Sequence, residues 1–115
     1  QFRCIYFTVI KTEAANEEVG SAEVHITLDI NTLEVYIAFM GFEDEYTGIG
    51  LGSQLLKSLE SNILASIDEK KAVAAIKFSA KLEVDSDYGR RRRFFERNRY
   101  WVTNSKEALK VLSVR

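Results

Sequence analysis

The 115-residue sequence has no proline, one cysteine, one histidine and no apolar run long enough to cross a bilayer. A lone Cys4 excludes an internal disulfide and a multi-cysteine zinc site, and it suits a reducing cytosol. In its apolar stretch it reads as a small buried side chain rather than a nucleophile. The lone His25 lies on the polar side of an alternating stretch, with no second histidine to complete a metal centre. No Ser–His–Asp arrangement can be built. No function follows from the missing proline. The formal net charge is only −1, so no global field draws the chain to nucleic acid or membrane. There is no signal-peptide pattern, internal repeat or low-complexity linker. A composition of 46% hydrophobic and 29% charged residues is ordinary for a globular protein, and residues 1–115 are expected to form one cytoplasmic domain. The chain opens at Gln1 rather than at a methionine.

Glycine is scarce but concentrated: Gly48, Gly50 and Gly52 are half of the six. Upstream, Leu33–Phe42 is rich in β-branched and aromatic residues and reads as a strand. Downstream, Leu55, Leu56, Leu59, Ile63 and Ile67 form one apolar stripe of a helix expected over Gly50–Glu69. Strand, glycine loop and helix together make a phosphate or pyrophosphate site. Glycines let backbone N–H groups approach an anion, and the first helical turn adds unpaired donors. The loop lacks the Gly-Lys-Ser/Thr ending of an NTPase P-loop, and Gly48-x-Gly50-x-Gly52 is not the dinucleotide spacing.

The remaining chain reads as strands Phe2–Lys11 and Ser21–Ile30 separated by a polar loop over Thr12–Gly20. In the second strand Ala22, Val24, Ile26, Leu28 and Ile30 face one way. After the first helix, Ala72–Val84 reads as a strand buried on both faces and parallel to Leu33–Phe42. Arg90–Tyr100 reads as a second helix. Trp101–Thr103 and Ala108–Val114 read as a hairpin around Asn104–Glu107. The order is β-β-β-α-β-α-β-β, an α/β (α+β) mixed sheet with an antiparallel N-terminal meander.

The glycine stretch resembles the acyl-CoA pyrophosphate loop Q/R-x-x-G-x-G/A of the GNAT superfamily of N-acetyltransferases. Thr47 takes the Q/R place, and Gly50 and Gly52 are the two required glycines. The resemblance runs from about Ser21 to Val102. It implies a GNAT-like fold and transfer of an acetyl group from acetyl-CoA to a primary amine. The pyrophosphate would lie on the N–H groups of Thr47, Gly48, Ile49, Gly50, Leu51, Gly52 and Ser53. Pantetheine would run where the strands Leu33–Phe42 and Ala72–Val84 splay apart, and a backbone N–H near Met40, Gly41 or Phe42 would hold the oxyanion. The family usually opens with a strand and two helices covering the acceptor side. Little precedes the meander here, so that wall is expected to be reduced, supplied by a partner subunit of a homo-oligomer, or carried on residues before Gln1.

A second segment, Phe94-Phe95-Glu96-Arg97-Asn98-Arg99-Tyr100, is similar to the family's L/F-Y-E-K-x-G-F, with two departures. Phe95 holds the place of the tyrosine that protonates the departing thiolate, and Arg99 replaces the glycine that ends the helix. Phenylalanine has no O–H, so the substitute acid is Tyr88, whose bland alternative is a half-buried aromatic bonded to backbone. Arg90 to Arg93 cannot all touch one ligand from a helix. They read as a solvated face paired with Asp85, Asp87 and Glu96; as one or two ligands of the CoA 3′-phosphate, Arg90 and Arg93 first; or, with Phe94, Phe95, Tyr100 and Trp101, as a single-strand nucleic-acid surface. For a general base the choice is Glu43, with Asp44 and Glu45 beside it between strand and glycine loop, or Glu34 on the strand itself; singly, each of the loop acids also reads as a hydrated acid. An interaction protein on the same scaffold, without catalysis, is the alternative function.

Overall fold

The computed structural model describes residues 2–11, 17–42, 51–67 and 73–114. Its elements are β1 (Phe2–Lys11), β2 (Glu17–Asp29), β3 (Thr32–Phe42), α1 (Leu51–Ala65), β4 (Ala75–Lys81), α2 (Tyr88–Arg97), β5 (Trp101–Val102) and β6 (Glu107–Ser113). They form one sheet in the order β1-β2-β3-β4-β6-β5. The first three strands are an antiparallel meander, β4 lies parallel to β3, and β6 is antiparallel to both β4 and β5. The element order is the one read from the sequence.

Several boundaries differ. Glu17–Gly20 is not loop but the start of β2, because backbone pairing with β1 (Lys11↔Glu17, Ile10↔Glu18) holds a polar stretch extended. The helix α1 stops at Ala65 instead of Glu69. There the Ser66 hydroxyl donates to the Ile63 carbonyl at 2.7 Å, and Ile67 N–H reaches back only three residues, to Leu64. The strand β4 is shorter than Ala72–Val84 and is buried on one face only. Ile76, Phe78 and Ala80 are buried, while Ala75, Lys77 and Ser79 are half-covered.

The core lies on that one face. Leu56 and Leu59 of α1 are fully buried with Val24, Val35, Ile76 and Phe78 of the sheet. Each such side chain contributes about 1.5–3 kcal/mol of apolar burial. The α2 end adds Phe95 and Tyr100, whose rings meet edge-on at 5.2 Å. The opposite face is polar and cross-paired. Glu34 and Lys77 stand in register with an ion-pair distance of 3.9 Å, and His25 sits 2.6 Å from Glu23 and edge-on to Tyr36. Trp101 is half-exposed. The inward run expected in β2 fades toward its turn: Ala22 and Val24 are buried, but Leu28 is exposed and Ile30 is 91% exposed. Ile30 is no longer strand. It turns the chain with φ 56°, a costly conformation for a β-branched residue.

The second helix starts two residues earlier than expected and ends in a closed cap. Tyr100 N–H donates to the Phe95 carbonyl at 3.0 Å and Arg99 N–H to Glu96 at 3.1 Å, the paired bonds of a Schellman motif. The residue between them, Arg99, has φ 71°, the left-handed conformation that glycine takes at this position without steric cost. The helix therefore ends where a glycine would end it, with strain in place of the glycine. Arg99→Gly is expected to stabilise the fold by about 1 kcal/mol, read as a higher urea midpoint at unchanged slope. A lower midpoint would show that the Arg99 side chain carries a compensating contact.

Candidate functional site

The site begins where the sheet comes apart. β3 and β4 pair from Thr32↔Ala75 to Tyr36↔Ser79 and then stop, although β3 continues to Phe42. One residue beyond the last pair, β3 carries a bulge. Val24 faces Ile37 and Glu23 faces Phe39, so Ala38 is the extra residue. A bulge bends its strand and increases the local twist, which turns the end of β3 away from β4. It also shifts the alternation by one, placing Met40 opposite Ala22 on the face that Ile37 shares with Val24. Beyond it, Met40, Gly41 and Phe42 pair with Ala22, Ser21 and Gly20 of β2, and Ala80 and Lys81 of β4 pair with β6. Among the described residues no strand fills the gap. The backbone N–H and C=O groups that β3 turns towards it have no ladder partner there.

The first turn of α1 carries Leu51, Gly52 and Ser53. Thr47, Gly48, Ile49 and Gly50 lie outside the described residues, as do Glu43, Asp44 and Glu45. Ser53 is held from a distant part of the chain: Asn98, just past α2 and 6% exposed, donates from Nδ2 to Ser53 Oγ at 3.0 Å and to the Phe94 carbonyl at 2.8 Å. Two turns along α1, Glu60 is 8% exposed. It accepts a hydrogen bond from Tyr100 Oη at 2.7 Å and an ion-paired one from Lys110 Nζ at 2.8 Å. Lys110 also donates to the Asn98 carbonyl at 3.1 Å and lies 5.4 Å from the Tyr100 ring centre. Burial first, then the negative charge of Glu60, pushes the Tyr100 phenol far above its ordinary range, so it stays a donor.

Sequence reasoning missed this network. Its signal was there in two places: Glu60 interrupts the apolar stripe next to Leu59, and Lys110 sits at an inward position between Ala108 and Leu112. Opposite charges at two inward positions call for each other.

On α2 the arginines are mostly engaged. Arg91 meets Asp85 at 2.6 Å, Arg90 meets Asp87 at 3.5 Å, and Arg92 meets Glu96 at 3.3 Å. Arg91, with help from the Asp87 N–H, holds the Asp85 carboxyl below its usual range. Arg93 has no carboxylate within ion-pair distance among the described residues and folds its guanidinium over Gly89. Tyr88, at the start of α2, is half-buried and packs on the core cluster, with Lys106 6.0 Å from its ring centre. Its hydroxyl is the one buried side-chain polar atom without a hydrogen-bond partner among the described residues. Arg92, whose guanidinium is paired with Glu96, lies near that oxygen without meeting it in hydrogen-bond geometry. The backbone bond of the bland reading is not made.

No protein-family model matches the chain, and no curated protein matches it in sequence. Solved structures do. Arabidopsis thaliana NAA60 in complex with a bisubstrate analogue superposes with a TM-score of 0.65 at 12% identity, covering 97% of this chain and 77% of that one. Arabidopsis thaliana Naa50 with the bisubstrate analogue CoA-Ac-MVNAL gives 0.60 at 16%, covering 84% and 65%. A protein from Desulfovibrio desulfuricans, assigned to the acetyltransferases of the GNAT family, gives 0.62 at 19%, covering 96% and 69%. The chain has the GNAT fold.

In this fold β3 and β4 part after Tyr36↔Ser79, and α1 begins at Leu51. Phe95, in the place of the family's acid, is buried edge-on between Phe94 and Tyr100 at 5.2 Å from each, a core residue. The Glu60–Tyr100 bond makes an alkaline test. Tyr100 binds its proton more tightly folded than unfolded, so its contribution is complete below pH ~10, where an unfolded tyrosine ionises, and is lost as pH rises beyond it. Parent and Tyr100→Phe should therefore differ most in stability near neutrality and converge above pH ~10 in denaturant titrations. A constant gap would place the phenol outside the network.

Proposed function

We propose that the chain is an acetyl-CoA-dependent N-acetyltransferase acting on a primary amine. The observation that carries this is the gap between β3 and β4, opened by the Ala38 bulge, in a fold shared with structures that hold bisubstrate analogues. The glycine stretch Thr47–Ser53 supports a pyrophosphate cradle leading into the first turn of α1. Pantetheine would enter the gap alongside Met40, Gly41 and Phe42, where a strand N–H is available to a developing oxyanion; one such donor is worth ~3 kcal/mol.

The amine nitrogen attacks the thioester carbonyl carbon. A C–N bond forms, the C–S bond breaks, and CoA leaves as thiolate. The acceptor ammonium first loses a proton, for which Glu43 is the nearest acid in sequence to the gap, with Asp44 and Glu45 beside it. The thiolate takes a proton from Tyr88, whose unmade hydrogen bond supports a role toward a ligand, and the second proton, shed by the nitrogen as the C–S bond breaks, returns through solvent to restore the phenol. Of the arginine run, Arg93 is the better candidate for the 3′-phosphate, since Arg90 is already paired with Asp87. The carboxylates paired along α2 and the core burial of Phe95 and Tyr100 leave little for nucleic acid to read. The second reading is a GNAT-fold interaction protein that binds CoA without turnover, favoured by Phe95, which offers no proton.

Acetyl-CoA is expected to bind the parent measurably in calorimetry, and Gly50→Val to weaken it more than tenfold in a folded protein, because a side chain blocks the anion's approach. Unchanged affinity would remove the loop from the site, and no binding by the parent would remove the reading. In a turnover assay with mixed amines, Tyr88→Phe should lower the turnover number by at least ~10² with little change in CoA affinity. Equal turnover would exclude Tyr88 as the acid. Binding without any turnover in the parent would select the interaction protein.

A further inference from the structure

We propose that Asn98 is a positioning residue for the anion-holding turn of α1, acting through the hydroxyl of Ser53; this rests on the acetyl-CoA reading above. An asparagine amide has two N–H donors, and both are spent here, one on the Phe94 carbonyl and one on Ser53 Oγ. Ser53 is therefore the acceptor in that bond, and its own hydrogen is given to no partner among the described residues. A serine in a helix otherwise tends to turn its hydroxyl back onto the carbonyl of the preceding turn. The bond from Asn98 takes one lone pair of the oxygen and fixes where it sits. It converts a hydroxyl with two roles into a fixed donor in the first turn, beside the backbone N–H groups that an α-helix leaves unpaired there. Ser53 is half-exposed and open to a ligand, whereas Asn98 is buried behind it.

The backbone of Asn98 is itself held at both its N–H and its carbonyl. Its N–H donates to the Phe95 carbonyl at 3.0 Å, its carbonyl accepts from Lys110 at 3.1 Å, and Lys110 is anchored by Glu60. Ser53 and Glu60 are two turns apart on the same side of α1. The segment that ends α2 and the strand β6 thus grip α1 at two points, a buried ion pair in its middle and a neutral bond at its start. The ion pair fixes where α1 lies; the Asn98–Ser53 bond sets what its first turn offers. The occupant of that turn is the phosphate-bearing end of the acyl carrier, so Asn98 tunes affinity for the diphosphate and not for pantetheine.

The experiment titrates CoA and, separately, pantetheine into the parent, Asn98→Ala, Asn98→Asp, Ser53→Ala and the Asn98→Ala/Ser53→Ala double variant. Asn98→Ala and Ser53→Ala should each weaken CoA by ~10-fold or more while leaving pantetheine unchanged, since one bond to a charged group is at stake. The double variant should be no weaker than the worse single one, because the two residues act as one unit. Asn98→Asp should be worse than Asn98→Ala for CoA: its carboxylate would take the Ser53 hydrogen and place a negative charge behind the diphosphate. Ser53→Ala removes the same bond from the exposed side and keeps the test decisive if Asn98 variants fail to fold. Equal losses for CoA and pantetheine, additive losses in the double variant, or full CoA affinity in Asn98→Ala or Ser53→Ala would each overturn the proposal while leaving the acetyl-CoA reading intact. A parent that binds no CoA would overturn both.

Discussion

Five residue pairs hold the two parts of the sheet together. Thr32–Tyr36 of β3 and Ala75–Ser79 of β4 make the parallel ladder that joins the N-terminal meander to everything after α1. Parallel pairing gives slanted, slightly weaker bonds, and a crossover helix must sit over the join. The apolar stripe of α1 covers it, with Leu56 and Leu59 buried among Val35, Ile76 and Phe78. Neither the covering nor the ladder could be lengthened freely. Extending the pairing past Tyr36 would close the gap between β3 and β4, and the bulge at Ala38 sets that limit. Stability and access are settled within a few residues of each other.

The other organising constraint is a buried charge. A carboxylate at the position of Glu60 is costly unless its bonds are made, and here they are made by β6 and by the residue that follows the α2 cap. The cost of removing one partner falls on the other, so Lys110 and Glu60 are better regarded as a device for placing elements than as net stabilisation. They hold Tyr100 in place, Tyr100 closes the Schellman cap, and the cap sets Asn98 behind the first turn of α1. A strained arginine in that cap is tolerable because Phe95 and Tyr100 bury their rings together across it.

Much of this architecture was legible because it is written in short periods. Alternation showed β2, β-branched and aromatic content showed β3, and the spacing Leu55, Leu56, Leu59, Ile63 showed α1. The glycine cluster by itself pointed to the end of β3. What could not be read is non-local. Glu17–Gly20 is strand only because β1 lies beside it. The phase slip between Ile37 and Met40 is a bulge only in relation to Val24 and Ala22. The pairing of Glu60 with Lys110 spans fifty residues of chain, and neither residue alone predicts the other. The candidate site was proposed from a motif that includes Gly52 and Ser53, while the residue behind Ser53 occupied a motif position that carried no assigned role. Tyr88 was singled out for its place in the chain; its unpartnered hydroxyl is a property of the folded surroundings alone.

The exposed Trp101 has a practical side. It is the only tryptophan in the chain, it sits in the two-residue outer strand β5, and it directly follows Tyr100. Excited at the red edge of its absorption, the protein has one lamp, and it is mounted at the far end of the sheet from the meander. Its emission reports the docking of β5 on β6 and the integrity of the cap that carries Asn98. It is blind to β1 and β2, whose loosening would register only in backbone probes. A fluorescence transition that precedes the loss of far-ultraviolet dichroism would therefore time the release of the C-terminal grip on α1 separately from the collapse of the sheet.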